Sequence, residues 1–309
     1  MRVFPLSKNA SASRGYALLL LALASLFWAG NWVLGRALRE LFEPVALNFR
    51  RWLVAVVALA PFAWPRLRQQ LDAVRRSAGL LFVLAFLGVA LFQTLVYAGL
   101  KTTAAVNAVL LNSSMPAFML LCSWVIERER GTPRQVAGML ISLAGILVIM
   151  ARGEAASLAR LEFHSGDALI LLAMPVWGVY SVLLKRRPPE LDGIAFLFAI
   201  SLIGVGLLAP AFALEAWRSP PRWPGLEGVA AALYVGLAAS VAAFICWNRG
   251  VAIVGANTAG FSVHLLPAFG TLLAIAFLGE SFRPYHALGI ATILLGVVVA
   301  TRKGPGKAP

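Results

Sequence analysis

Apolar residues in this chain come in long unbroken runs, with charges confined to the short stretches between them. Ten such runs recur, at roughly 16–35, 45–63, 79–99, 103–125, 134–151, 166–184, 193–213, 227–248, 256–278 and 284–301. A helix of about 20 residues crosses a ~30 Å hydrocarbon core. The pattern therefore predicts an all-α polytopic membrane protein with ten transmembrane helices, short loops and two short tails. Polar residues interrupt two of the runs in the same way. "LNSSMPAF" (Leu111 to Phe118) and "FSVHLLPAF" (Phe261 to Phe269) each place hydroxyl, amide or imidazole groups just ahead of a proline. The first run has Arg14 before it and Ala22 to Ala24 inside it, the composition of a signal-peptide cleavage site. Its counterpart in the second half of the chain makes it a retained span.

Composition agrees with the pattern. Apolar residues make up 60% and charged residues 13%, where soluble domains carry about a quarter charged; mean hydropathy is +0.82. The formal net charge of +14 would fit a nucleic-acid binder, but no soluble scaffold exists to display a basic patch. With a cytoplasmic N-terminus, the inner segments hold 17 Lys/Arg and the outer segments 10. That bias places both termini in the cytoplasm, with the basic side chains near anionic lipid headgroups. Cys122 and Cys246 both fall in spans and read as buried small hydrophobes, neither a disulfide nor a metal pair.

The chain repeats itself. Trp28 aligns with Trp177 and Pro61 with Pro210, then Asn107 with Asn257. Pro116, Ala117 and Phe118 align with Pro267, Ala268 and Phe269, followed by Glu129 with Glu280, Pro133 with Pro284, Gly138 with Gly289 and Gly145 with Gly296. Two halves result, residues 1–152 and 165–309, joined by a linker over 153–164, the second half ending in a short basic tail. Five spans per half is an odd number, so the second half enters the membrane from the opposite side. Inverted-topology repeats of this kind characterise carriers that alternate access around a site between the repeats. The doubled "PAF" with its downstream Glu, Pro and two Gly resembles the drug/metabolite transporter superfamily, in particular its EamA-type members, over nearly the whole chain. Within it, the chain looks most like the YddG-type aromatic amino acid exporters of bacteria. The resemblance implies a bacterial inner-membrane exporter of small organic solutes that needs no cofactor and works as a monomer or homodimer.

In lipid an unpaired polar group is costly, so polar residues inside spans mark cavities or helix contacts. Pro116 and Pro267 each deny a hydrogen bond to the carbonyl four residues back and are expected to kink the fourth helix of each half, as hinges. Asn112, Ser113, Ser262 and His264 lie beside them and read either as cavity groups or as packing contacts. Trp28, Asn31, Trp32 and Gly35 share one helical face, matched by Trp177, Tyr180 and Ser181. The third helices add Gln93 and Tyr97 in one half and Trp247 and Asn248 in the other. Aromatic faces with a few polar atoms suit an amphiphilic organic substrate, foremost an amino acid. The expected substrate contacts are thus Trp28, Asn31, Gln93, Tyr97, Asn112, Ser113, Trp177, Tyr180, Trp247, Ser262 and His264. Trp64, Trp217 and Trp223 flank loops and fit the interfacial aromatic belt. Gly138, Gly145, Gly289 and Gly296 read as helix-packing positions, within the chain or at a dimer contact. Arg36, Arg50 and Arg51 border the first two spans, as headgroup anchors or as carboxylate ligands.

No span core contains Asp or Glu, and His264 is the only titratable candidate at depth. That favours uncoupled transport, with proton antiport through His264 as the alternative. Enzymatic readings fare poorly: His164, His264 and His286 form no HExxH pair, and a Ser113/Ser114–His264 dyad has no orienting acid. A channel would call for rings of like groups along a pore, which these bulky aromatic faces do not supply.

Overall fold

The computed structural model describes residues 10–37, 42–103, 105–151, 154, 162–220, 225–278 and 281–302. All regular structure among them is helical. The first half contains α1 (Ala10–Ala37), α2 (Pro44–Gln69), α3 (Leu71–Arg76), α4 (Ala78–Ala85), α5 (Phe92–Thr102), α6 (Ala105–Asn112), α7 (Met115–Glu127) and α8 (Pro133–Met150). The second contains α9 (Ser165–Leu183), α10 (Gly193–Arg218), α11 (Gly225–Gly236), α12 (Ala243–Val254), α13 (Ala256–Gly260), α14 (Leu265–Leu278) and α15 (Pro284–Thr301). Helix starts follow local chemistry. Proline opens α2, α8 and α15, where its missing N–H costs nothing. Thr132 and Gln135 form a capping box on α8, and Asp192 caps α10 through the N–H groups of Ile194 and Ala195.

Nine helical stretches among the described residues are long and apolar enough to cross a membrane. The run over 256–278, expected as the tenth span, is broken: α13, a 3-10 turn over Phe261–His264, then α14. Its counterpart is broken too, at Ser113 and Ser114 between α6 and α7. Sequence alone predicted kinks here. Instead, each proline sits in the first turn of a restarted helix, Pro116 as the second residue of α7 and Pro267 as the third of α14. The third span of each half carries an unexpected feature, a π-helical turn over Phe86–Leu91 between α4 and α5 and over Leu237–Ala242 between α11 and α12.

The packing is reciprocal between halves. α1 lies against α12 and α14, while α9 lies against α5 and α7. α2 packs on α10 and α8 on α15. Both of these pairs run antiparallel. Glu215, near the end of α10, accepts from Val45 and Ala46 N–H at the start of α2 (3.2 and 2.6 Å). At the other ends, Gln70 and Asp192 exchange two hydrogen bonds of 3.1 and 3.0 Å. Along α8 and α15, Gly138 meets Gly296 and Ala300, whereas Gly145 meets Gly289 and Ile293. The four predicted packing glycines therefore face each other inside one chain. The outer surface is apolar: Phe62, Leu140, Leu172 and Leu295 are all more than half exposed, as side chains facing lipid should be.

Candidate functional site

Because α1 and α9 each cross to the opposite half, their aromatic faces meet at the centre of the molecule. The Trp28 and Trp177 rings lie 5.2 Å apart, edge to face. Trp177 also contacts Phe92 (4.7 Å), Tyr180 (4.9 Å), Phe244 (5.5 Å) and Trp247 (5.5 Å), and Trp247 contacts Trp28 at 5.2 Å. Beside this cluster is a small, narrow cleft. Trp28, Trp32, Trp177 and Phe92 form its aromatic walls, Gln93 and Asn112 its polar points, and Met115, Val263 and Leu266 its remaining side. Gln93 Oε1 and the Trp177 indole nitrogen are buried without a hydrogen-bond partner. Both belong to cleft-lining residues, so a bound molecule with polar groups could satisfy them.

Polar layers flank the tryptophans. One turn along from Trp28 and Gln93, the Tyr97 hydroxyl donates to Asn31 Oδ1 at 2.8 Å. One turn along from Trp177 and Phe244, the Tyr180 hydroxyl donates to Asn248 Oδ1 at 3.0 Å. Asn31 matches Tyr180 in the repeat alignment, and Tyr97 matches Asn248 when the π turns Phe86–Leu91 and Leu237–Ala242 are paired, so the same first-to-third-helix bond occurs in both halves with donor and acceptor exchanged. The π turns take part as well. The Ala239 carbonyl, within the second π turn, accepts from the Trp28 indole (3.0 Å) and from Arg51 Nη2 (3.1 Å). In the first half, Asn48 Nδ2 donates to the Val89 and Ala90 carbonyls (2.9 and 3.2 Å).

Of the predicted contacts, Trp28, Gln93, Asn112 and Trp177 come together in the cleft wall. Asn31 with Tyr97, and Tyr180, lie in the flanking layers, while Trp247 lies in the aromatic cluster. Ser113, Ser262 and His264 are placed elsewhere, in helix contacts. Ser113 Oγ donates to the Val109 carbonyl (2.8 Å) and Ser262 Oγ to Ala259 (2.7 Å), while the Ser262 carbonyl accepts from Ser25 (2.7 Å). His264 is fully buried and bridges the two broken helices, its Nε2 donating to the Ser113 carbonyl at 2.9 Å. A carbonyl only accepts, so Nε2 carries a proton, while Nδ1 contacts the Ser142 hydroxyl, which also reaches the Gly138 carbonyl (2.9 Å). Pro116 and Pro267 adjoin this bridge. Trp64 and Trp217 are 50% and 80% exposed, as belt residues would be, whereas Trp223 and Glu280 lie outside the described residues, as do the side chains of Gly35 and Arg36.

Arg51 is not the headgroup anchor that one of its two sequence readings expected. It does not border its span facing headgroups but is 0% exposed, with Nε donating to Ser240 Oγ (2.7 Å) and Nη1 to the Tyr97 hydroxyl (2.8 Å). The signal was present: Leu47, Asn48, Arg51, Trp52, Ala55 and Leu59 form one buried stripe at helical spacing. The adjacent pair Arg50–Arg51 hid it, because only Arg51 falls on that stripe.

The EamA-like transporter family model matches the chain twice, over residues 15–151 and 164–302. The chain belongs to that family. Similar members include an uncharacterized transporter of Archaeoglobus fulgidus, 32% identical, covering 92% of this chain and 97% of the relative. A probable terminal-alkyne amino-acid exporter of Streptantibioticus cattleyicolor is 26% identical over 93% and 94% of the two chains. An S-adenosylmethionine/S-adenosylhomocysteine transporter of Chlamydia trachomatis is 22% identical over 91% and 87%. A crystal structure with 22% identity, covering 92% of this chain and 96% of its own, superposes with a TM-score of 0.70, which shows a shared fold. Membership in the EamA-like family makes this a multi-pass membrane transporter of a small molecule.

Proposed function

We infer that this chain is an inner-membrane exporter of amino acids with aromatic or other apolar side chains, working by alternating access without ion coupling. The observation that carries the reading is the meeting of Trp28 and Trp177, from equivalent helices of the two halves, at one cleft with unpaired polar atoms. Ring faces would hold the apolar side chain by stacking, while Gln93 and Asn112 would bind the polar end. The exporter of Streptantibioticus cattleyicolor supports an amino-acid substrate for a related chain.

Ten spans in two inverted halves is the topology that fits best. The double family match, the reciprocal packing of α1 and α9 and the antiparallel pairs α2/α10 and α8/α15 support it. The broken helix over 256–278 would then be the tenth crossing, and the excess of Lys/Arg on one side would put both termini in the cytoplasm. In that orientation the Asn31–Tyr97 bond lies on the outer side of the tryptophan layer and the Tyr180–Asn248 bond on the inner side. Opening one while the other stays closed is a minimal form of alternating access, with the helix breaks at Pro116 and Pro267 as moving joints. His264 supports the uncoupled reading over proton antiport, since its two ring nitrogens are taken up in helix contacts, one with the Ser113 carbonyl and one with Ser142 of α8.

Purified protein in proteoliposomes tests the reading. Labelled phenylalanine should enter by a saturable route, and an imposed pH gradient should not drive its accumulation. Gradient-driven accumulation would refute the uncoupled mechanism. Movement of a sugar or nucleoside but of no amino acid would refute the substrate.

A further inference from the structure

Arg51 presents a problem that the carrier reading leaves unsolved. A guanidinium sealed from solvent at membrane depth is costly unless an anion meets it. Its three acceptors, Ser240 Oγ, the Tyr97 hydroxyl and the Ala239 carbonyl, are all neutral. Among the described residues no carboxylate pairs with it, and several are engaged elsewhere: Glu43 with Lys101, Glu127 with Arg186, Glu129 with Lys185, and Glu215 on the start of α2. The matching position in the second half is Ile200, equally buried, so the scaffold itself does not require a cation at this point.

Its place relative to the cleft is specific. Arg51 Nη2 and the Trp28 indole nitrogen share one acceptor, the Ala239 carbonyl, at 3.1 and 3.0 Å. The guanidinium is thus one shared carbonyl away from an indole that walls the cleft, without itself lining it. Its other partner, Tyr97, lies one turn from Gln93, whose buried oxygen has no partner. We propose that Arg51, with the Tyr97 hydroxyl, is a carboxylate-binding subsite that takes the acid group of a substrate whose apolar body lies against Trp28 and Trp177. The proposal rests on the carrier reading and sharpens it. The substrate must bear a carboxylate, so amines and neutral analogues of the same shape are rejected. A carboxylate would replace neutral acceptors with a charge-assisted bidentate contact, roughly twice as strong per bond. The substrate would then also loosen the Tyr97–Asn31 bond, because the Tyr97 hydroxyl would turn towards the incoming oxygen.

Three probes of one shape separate the possibilities: L-phenylalanine, 3-phenylpropionate (no ammonium) and 2-phenylethylamine (no carboxylate). Binding to the purified full chain is read from tryptophan fluorescence and from ligand-induced thermal stabilisation. Wild type should bind both carboxylates at least about tenfold more tightly than the amine. R51Q should remove that preference, and R51K, keeping the charge without the planar fork, should weaken the carboxylates several-fold and leave the amine unchanged. Should R51Q fail to fold, R51K decides alone. Equal binding of acid and amine by wild type overturns the subsite, as does a preference that survives in R51Q or a uniform loss for all three probes in R51K. Flux in proteoliposomes keeps the two ideas apart. Carboxylate binding through Arg51 without any transport refutes the carrier reading, whereas transport of phenylalanine and phenylethylamine alike refutes the subsite and leaves the carrier.

Discussion

Gly138→Ala is a sharp test of how the last helices of the two halves are joined. A Cβ added at Gly138 would lie 2.5 Å from both the Gly296 carbonyl oxygen and the Ala300 nitrogen, and 2.7 Å from the Ala300 Cβ. Backbone atoms cannot swing aside, so α8 and α15 must part by about 1 Å to restore ordinary contact near 3.5 Å. A gap of that size forfeits a quarter to a half of each lost contact, and overpacking of this kind costs about 1–3 kcal/mol. Against this, replacing glycine in a helix gains up to about 1 kcal/mol. The net expectation is destabilisation by about 1–2 kcal/mol, or a fall of roughly 2–8 °C in thermal midpoint. Gly206→Ala supplies the opposite sign, since that glycine is exposed on α10 with nothing within 4 Å of a new Cβ; it should be neutral or slightly stabilising. Thermal unfolding of the detergent-purified variants by tryptophan fluorescence gives both values. If Gly138→Ala matches or exceeds wild type, the close seam is wrong. A change in oligomeric state with no loss of stability would move these glycines from an internal seam to a dimer contact.

Other expectations follow from the site. Trp177→Ala removes the ring that meets five others and should cut saturable phenylalanine flux by about tenfold or more, while Trp177→Phe keeps a substantial part of it; equal flux in wild type and Trp177→Ala would sink the stacking role. Tyr180→Phe deletes the inner layer's hydrogen bond, worth about 1 kcal/mol, and Tyr97→Phe deletes the outer layer's together with one acceptor of Arg51. Labelling of a reporter cysteine near the cleft, from one side of the membrane, should change several-fold in opposite directions, and a shift in the same direction would refute the paired gates. Asp192 is partly buried, which opposes ionisation, but the Ala195 and Ile194 N–H groups, Gln70 and the charge of Arg66 outweigh burial and hold its carboxyl below the ordinary 3.8. A lowered folded value stabilises above the unfolded value and is lost as pH falls through the folded one. Asp192→Ala should therefore cost about 1 kcal/mol at neutral pH, and the gap between its midpoint and wild type's should close below about pH 4. A gap that is constant from pH 7 to pH 3 would show that the charge contributes nothing.

The apolar runs were enough to place nine of the ten expected crossings, because burial in lipid is decided by length and hydropathy alone. The interruptions at Asn112–Pro116 and Ser262–Pro267 were legible as well, though not their form. Proline announces that a ladder cannot continue, but whether the helix bends or restarts depends on what takes the freed groups. Here that is His264 reaching the Ser113 carbonyl 151 residues away in sequence. The π turns left no local mark for the same reason: each is stabilised by donors on other helices, Asn48 in one half and Trp28 with Arg51 in the other. Arg51 itself was hidden by a neighbour of identical type.

These misses share a cause that bears on function. The repeated features, including Trp28 with Trp177, the prolines and the glycine seam, can be read by sliding the chain along itself, because both halves carry the same residue there. What duplication did not preserve is invisible to that comparison: Arg51 against Ile200, Gln93 against Phe244, Trp247 against Val96. All six side chains are buried. A carrier with two equivalent halves gains its two access states from symmetry, yet a substrate with one charged end and one apolar end is not symmetric. The positions that orient it must break the repeat. The polar departures, Arg51 and Gln93, lie in the first half, and the aromatic ones, Phe244 and Trp247, in the second. A solute bound between them would point its acid group towards α2 and α5 and its ring towards α12.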